Sequence, residues 1–343
     1  MGLFFRGALA MVLAMTAAPA LSGPIVIAHR GASGERPEHT LAAYARAIEQ
    51  GADFIEPDLV ATRDGVLVAR HENEISETTD VADHPQFAGR RTTKTIDGRR
   101  VTGWFTEDFT LAELKTLRAR ERLPALRPAN AAFRDERIPT FAEVIALAQA
   151  RGVGVYPETK HPSHFAAIGL PLEPPLVEAL HAAGWRDATA PVFIQSFEVG
   201  NLKALRKMTT LRLIQLVDAE GGPADGAAPS YRAMVTPAGL QAIARYADGI
   251  GPNKALIVPR DAAGRSAAPT RLVADAHAAG LSVHPWTFRA ENLFLPAELR
   301  RGAAPGAHGA AVDEMRMFLA LGVDGLFSDY PGLAVEARAA PAP

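Results

Sequence analysis

The sequence predicts an α/β fold, a single (β/α)8 TIM barrel with a small insertion after its second strand. Three observations carry the prediction. Eight short apolar runs alternate with helix-like segments, polar residues cluster where several runs end, and prolines stand at the same ends. The chain has 343 residues, a length that one large α/β barrel accommodates, and its apolar fraction of 48% can supply the core.

The predicted strands are Ile25–Ala28, Phe54–Glu56, Gly154–Tyr156, Val192–Gln195, Leu211–Val217, Gly249–Gly251, Leu281–His284 and Gly325–Phe327. Each is a compact apolar run of the kind that is buried on both faces in a parallel sheet. Between them, Leu41, Tyr44, Ala45 and Ile48 share one helical face, and Gly51 follows as a stop. Thr110 to Glu113 and Thr140 to Glu143 have capping-box spacing. Leu172–Ala183, Leu240–Tyr246 and Thr270–Ala279 have helical spacing. After the second strand, Arg63-Asp64-Gly65 reads as a turn and Val66–Arg70 as an extended return arm that delivers His71. The polar, basic stretch Glu72–Asp108 reads as an inserted lid above the barrel mouth. The barrel is bounded at residues 24–336, with 337–343 as a frayed tail.

Residues 1–20 stand apart. Arg6, the apolar stretch Gly7–Ala18 and the small residues Ala18-Pro19-Ala20 have the order of a cleaved secretory signal. The apolar run falls short of the ~20 residues that cross a bilayer, so no stable membrane anchor is expected. A periplasmic or secreted location follows. There is no cysteine, so no disulfide supports the fold. A formal net charge of -2 gives no electrostatic footprint for nucleic acid.

Three motifs hold the chemistry: Ile27-Ala28-His29-Arg30-Gly31, Phe54-Ile55-Glu56-Pro57-Asp58 and Val155-Tyr156-Pro157-Glu158-Thr159-Lys160. Side chains at i and i+2 of a strand share a face, so Glu56 projects with Asp58, and Glu158 with Lys160. Three carboxylates in one place repel unless a cation joins them. Hard oxygen donors without cysteine favour one divalent cation, Mg2+ or Ca2+, over zinc. Active sites of these barrels lie at the C-terminal ends of the strands, where the motifs fall. His29 and His71 suit proton transfer on opposite sides of one phosphorus. Arg30 and Lys160 suit its oxygens. Gln195, Phe197 and Trp286, at or just past strand ends, are expected to line the pocket. His39, His84, His161, His164, His181, His277 and His308 are taken as surface or structural.

These motifs, together with Pro37-Glu38-His39-Thr40-Leu41, Thr62-Arg63-Asp64-Gly65, Thr79-Asp80-Val81, Tyr246-Ala247-Asp248-Gly249-Ile250-Gly251-Pro252, Val283-His284-Pro285-Trp286-Thr287 and Gly325-Leu326-Phe327-Ser328-Asp329, resemble the glycerophosphodiester phosphodiesterase family, and within it the periplasmic bacterial branch. The resemblance covers Pro24 to about Leu333. It implies hydrolysis of small glycerophosphodiesters such as glycerophosphocholine and glycerophosphoethanolamine, giving glycerol 3-phosphate and an alcohol. It implies Glu56, Asp58 and Glu158 as metal ligands, His29 and His71 as the acid/base pair, and Ca2+ as the favoured ion. His39 stands where many members have asparagine, and Glu72 where aspartate usually follows the second histidine. Two other readings stay open: a phospholipase D-like enzyme acting on lysophospholipid or sphingomyelin head groups, with Trp104-Phe105 and Phe294-Leu295 as its apolar rim, and a non-catalytic glycerophosphodiester-binding protein. The preferred alcohol and the oligomeric state are left open.

Overall fold

The computed structural model describes residues 23–339. The signal-like residues 1–20 and residues 340–343 of the expected tail lie outside the described residues. The strands are β1 (Ile25–His29), β2 (Phe54–Glu56), β3 (Asp58–Ala61), β4 (Leu67–Ala69), β5 (Thr92–Ile96), β6 (Arg99–Gly103), β7 (Gly154–Val155), β8 (Glu158–Thr159), β9 (Phe193–Ser196), β10 (Arg212–Val217), β11 (Gly249–Pro252), β12 (Ser282–Val283) and β13 (Gly325–Ser328).

Parallel ladders run β13-β1-β2-β7 in one sheet and β12-β11-β10-β9-β8-β3 in another, with β4 folded back antiparallel on β3. The two sheets meet at both ends. Val155 bridges to Val192 beside β9. Asp324 N donates to Val283 O (2.9 Å) and Phe327 N to Pro285 O (3.1 Å), which ties the β12 segment to β13. Hydrogen bonds therefore lead around a ring of eight parallel staves, with β2–β3 and β7–β8 each forming one stave.

The sequence reading stops two strands at Pro57 and Pro157, and the structure corrects this. Both staves resume beyond the proline. Proline has no N–H to give, but its carbonyl still accepts: Glu158 N donates to Pro57 O and Gln195 N to Pro157 O, both at 2.9 Å. Asp58 and Glu158 consequently face each other as register partners inside the ladder.

The strand period of two builds the interior in layers. Ile25, Ile27, Phe54, Tyr156, Phe193, Ile214 and Phe327 fill the barrel floor. Tyr156 stacks on Phe193 at 4.9 Å, and its hydroxyl meets His284 Nδ1 at 2.7 Å. The alternate residues Val26, Ala28, Ile55, Val155 and Ile194 point outward and pack under the helices.

The helices follow their caps. Leu41–Glu49 is capped by Thr40, and Leu111–Leu114 and Phe141–Arg151 start on complete capping boxes at Thr110 and Thr140. Pro237–Ile243 begins earlier than expected, because Thr236 caps it and Pro237 suits a first turn. The last helix, Pro331–Ala339, runs into the segment read as tail; Ala337 is buried in it, so the boundary at residue 336 is too early.

The insertion also differs from a detachable lid. Ile75, Val81, Phe87, Trp104 and Phe109 join the main core, and Trp104 Nε1 donates to Phe87 O at 2.7 Å. The irregular excursion continues past Asp108, through a bridge from Thr79 to Ala119 and a 3-10 turn at Pro128–Ala132, up to the Thr140 cap. Only the β5–β6 hairpin stands clear, with Asp97 at its turn paired to His161 (2.7 Å) at the mouth.

Candidate active site

Two residues beyond the floor, the same faces of the staves reach the mouth. Ile27 is followed by His29, Phe54 by Glu56, Tyr156 by Glu158, Phe193 by Gln195 and Phe327 by Asp329. One period-2 rule thus places apolar packing below and reactive groups above. His29, Glu56, Glu158 and Gln195 line a cavity of about 800 Å3 together with Arg30, His71, Lys160, Phe197 and Trp286, and Asp329 stands behind His29.

Glu56, Asp58 and Glu158 converge, each offering an oxygen within 4.8 Å of the others. All three are buried. Burial and the neighbouring carboxylates push Glu56 well above the usual range. Burial pushes Glu158 up to about 8 against the pull of Lys160. Burial acts on Asp58 too, but Lys160 and His39 outweigh it and hold that carboxyl well below its usual value. Among the described residues Asp58 Oδ1 and Gln195 Oε1 are buried without a hydrogen-bond partner, the former with Lys160 Nζ 3.5 Å away. Three hard carboxylates plus orphaned acceptors are the donor set of an oxygen-coordinated divalent cation, and the residues fit one.

The histidines share one design. His29 Nδ1 lies 2.6 Å from Asp329 Oδ1, and His71 Nδ1 lies 2.5 Å from Glu72 Oε1. Each carboxylate is itself clamped. Arg127 and Arg289 bond Asp329 Oδ2 at 2.5 and 2.9 Å, while Arg122 bonds Glu72 at 2.9 Å and Glu38 at 2.7 Å. Binding Nδ1 fixes the ring and leaves Nε2 for chemistry. Burial, then the Arg30 charge, lowers His29 to about 4; burial, Arg30 and Lys160 lower His71 to about 3. Both rings are thereby held neutral near pH 7.

Backbone strain gathers here. The four non-glycine residues with positive φ among the described residues are Arg30, His39, Asp97 and His161. All four adjoin the mouth. At φ 60, Arg30 aims its own N–H at Glu56 Oε2 (2.7 Å).

A profile of the family described as Glycerophosphoryl diester phosphodiesterase family matches residues 29–333. The chain belongs to that family. It is 40% identical over 331 residues to a glycerophosphodiester phosphodiesterase of Arabidopsis thaliana, covering 91% of this chain and 85% of that protein. It is 29% identical to the glycerophosphodiester phosphodiesterase of Haemophilus influenzae, covering 92% and 90%. Among solved structures it is similar to a phosphodiesterase of Oleispira antarctica in complex with the product sn-glycerol-3-phosphate (TM-score 0.62, 24% identity, 92% of this chain and 96% of that one). It is also similar to a glycerophosphoryl diester phosphodiesterase of Silicibacter pomeroyi (TM-score 0.67, 23% identity, 92% and 93%). The family is enzymatic, and the chain is a phosphoric diester hydrolase of the glycerophosphodiester phosphodiesterase type. Its relatives span plants and bacteria.

Within this phosphodiesterase, every residue expected at the site is found there. Arg30 and Lys160, expected to be free for phosphate, are also tied to protein. Arg30 pairs with Glu38 (3.0 Å) and approaches Asp58 (3.4 Å); Lys160 pairs with Glu158 (2.7 Å). Five residues do more than the sequence reading assigned. His39, set aside as structural, bonds Asp58 Oδ2 at 2.8 Å and Tyr44 at 2.8 Å, so it orients a carboxylate of the cluster. Glu72, noted only as a departure from aspartate, backs His71. Arg122 and Arg127 lie in the excursion, where no periodicity marks them; Asp329 had the better signal, ending a quoted motif two residues past Phe327. Trp104 and Phe105 are buried and form no rim.

Proposed function

We propose that the enzyme hydrolyses glycerophosphodiesters such as glycerophosphocholine and glycerophosphoethanolamine to glycerol 3-phosphate and the free alcohol. The observation that carries the reading is the pair of carboxylate-backed histidines, His29 and His71, facing one cavity with the Glu56–Asp58–Glu158 cluster. The product held by the Oleispira antarctica enzyme, sn-glycerol-3-phosphate, agrees with it.

Glu56, Asp58 and Glu158 would hold one divalent cation, Ca2+ in preference to Mg2+. Such an ion, when bound, neutralises phosphate charge and acidifies a hydroxyl. Arg30 and Lys160 take the phosphate oxygens, the first as a fork and the second as a point charge. One histidine accepts at Nε2 the proton of the attacking oxygen, either that of water or that of the glycerol 2-hydroxyl, whose cyclic phosphate water then opens. The other gives a proton from Nε2 to the oxygen of the departing alcohol, so its ring must first gain one. The anionic diester offsets the Arg30 charge that depresses both rings, and the Lys160 charge that depresses His71, which favours that protonation. Each well-placed acid or base contributes roughly 10²–10⁴-fold.

Residues 1–20 support export, and we place the mature enzyme in the periplasm or outside the cell, in keeping with the periplasmic branch. The deciding experiment uses metal-stripped enzyme resupplied with Ca2+, Mg2+ or Zn2+ and assayed on glycerophosphocholine and lysophosphatidylcholine. Turnover of the first substrate, restored best by Ca2+, is the expected result. Activity confined to lysophosphatidylcholine, or independent of added ion, refutes the reading.

A further inference from the structure

The staves divide the mouth into two unlike halves. β13, β1, β2–β3 and β7–β8 carry Asp329, His29, Glu56, Asp58 and Glu158. The opposite arc, β9 to β12, carries none of the acid–base or carboxylate-cluster groups beyond Gln195. What it adds to the cavity is an aromatic corner, set among polar neighbours such as Glu198, Glu220, Asn253 and Thr287. Phe197 follows β9 and Trp286 follows β12, packed edge to face with centroids 5.8 Å apart. Tyr231, at the start of the short helix Tyr231–Met234 that follows β10, closes on Phe197 at 5.9 Å. The Trp286 Nε1 donor is spent on Gly251 O at 2.8 Å. The corner gives a bound alcohol aromatic surface, with Lys160 Nζ standing 5.8 Å from the Phe197 centroid on the side of the carboxylate cluster.

Beside this corner, at the end of β10, sits Asp218. Its Oδ1 accepts from Asn253 Nδ2 (2.9 Å) and Ala219 N (2.7 Å), which fixes the carboxylate. No cation lies within ion-pair distance of it among the described residues, although lysines and arginines line the same cavity. Lys254, the nearest in sequence, is drawn off by Glu314 at 2.7 and 2.8 Å. Lys160 and Arg289 are held by Glu158 and Asp329. The negative charge of Asp218 is left facing the aromatic corner.

Aromatic surface plus carboxylates without an ion pair among the described residues, Asp218 with Glu220 on the same lining, recognise an organic cation, above all a quaternary ammonium, whose methyl groups need no hydrogen bonds. We propose that Phe197, Trp286, Tyr231 and Asp218 form the subsite for the departing alcohol and select substrates in which that alcohol carries a positive charge, choline before ethanolamine and both before glycerol or inositol. The proposal rests on the hydrolytic reading and specifies its substrate class.

The test compares glycerophosphocholine with its uncharged isostere, the 3,3-dimethylbutyl ester of glycerol phosphate. The two differ in charge and hardly in shape. Wild-type enzyme is expected to favour the choline ester by about tenfold or more in kcat/KM. Asp218→Asn should collapse that ratio towards unity by lowering the choline value, and Trp286→Leu should weaken both esters, the choline ester more. Free choline should also compete with substrate better than 3,3-dimethylbutanol does. A wild-type ratio near one overturns the proposal without any variant. So does an Asp218→Asn enzyme, folded by circular dichroism, that loses both esters equally. Either result leaves hydrolysis itself standing. Failure of the wild type to cleave any glycerophosphodiester removes the hydrolytic reading and the subsite together.

Discussion

Asp329→Asn tests how the fold controls His29. In the wild type, Asp329 accepts the Nδ1 proton of His29 at 2.6 Å and shares its other oxygen with Arg127 and Arg289. The substitution keeps volume but makes the group half donor. The two arginines can only donate, so they claim the amide oxygen, and the NH2 turns to His29. Nδ1 must then accept, the ring proton moves to Nε2, and the lone pair that faced the cavity is gone. If His29 is the base, the wrong tautomer costs roughly 10³- to 10⁴-fold in kcat, the size seen when the analogous aspartate of a serine-protease triad is replaced. The loss of a buried charge also removes a partner from Arg127. That residue keeps Glu291 at 2.6 Å, so the stability cost sits at the low end of the usual range for a broken buried pair, about 3 kcal/mol. The assay is kcat on glycerophosphocholine and on a p-nitrophenyl ester, with urea unfolding alongside. A folded variant within tenfold of wild type on both substrates refutes tautomer control by Asp329. Rescue on the p-nitrophenyl ester alone assigns His29 as the acid instead of the base.

Glu56→Ala and Glu158→Ala should each abolish turnover and remove the rise in thermal midpoint that Ca2+ gives the wild type; a retained rise would place the ion elsewhere. Replacing the β5–β6 hairpin, residues 92–103, by a short glycine–serine linker should leave a folded barrel with altered substrate selectivity, whereas deleting Glu72–Asp108 should unfold it, since Ile75, Val81, Phe87 and Trp104 leave the core; circular dichroism separates the two outcomes. His284 is lowered to about 4 by burial in the barrel floor, so it stays neutral while an unfolded chain takes up a proton below about 6.5. Stability should therefore fall by about 3 kcal/mol as pH drops from 6.5 to 4, and His284→Leu should flatten that part of the curve of urea midpoints against pH. His29→Ala and His71→Ala should each cut kcat strongly with losses far from additive in the double variant; additive losses would mean that the two rings do not act on one phosphorus.

Much of this was legible in the sequence because a strand repeats every two residues. The spacing from Ile27 to His29, or from Phe54 to Glu56, already says that packing and chemistry share a face, so the strands and the carboxylate cluster could be read directly. The groups that hold the site were harder to read. His29 and Asp329 are 300 positions apart and meet only because β13 closes against β1. Arg122 and Arg127 come from an irregular stretch with no period to place them. His39 reads as an ordinary lone histidine until the left-handed turn at φ 54 swings it onto Asp58. The prolines misled for a physical reason: losing a donor was taken as losing the strand, while the carbonyl was still free to pair.

A strand that slips by one position turns every side chain to the opposite face. Slippage at the second or third stave would press Glu56, Asp58 or Glu158 against the helices and leave Phe54 or Tyr156 without a floor. Pro57 and Pro157 lie where packing gives way to chemistry, and their carbonyls carry the ladder across that point. The spacing of the carboxylates is thus inherited from the register that Phe54 and Tyr156 set in the floor below.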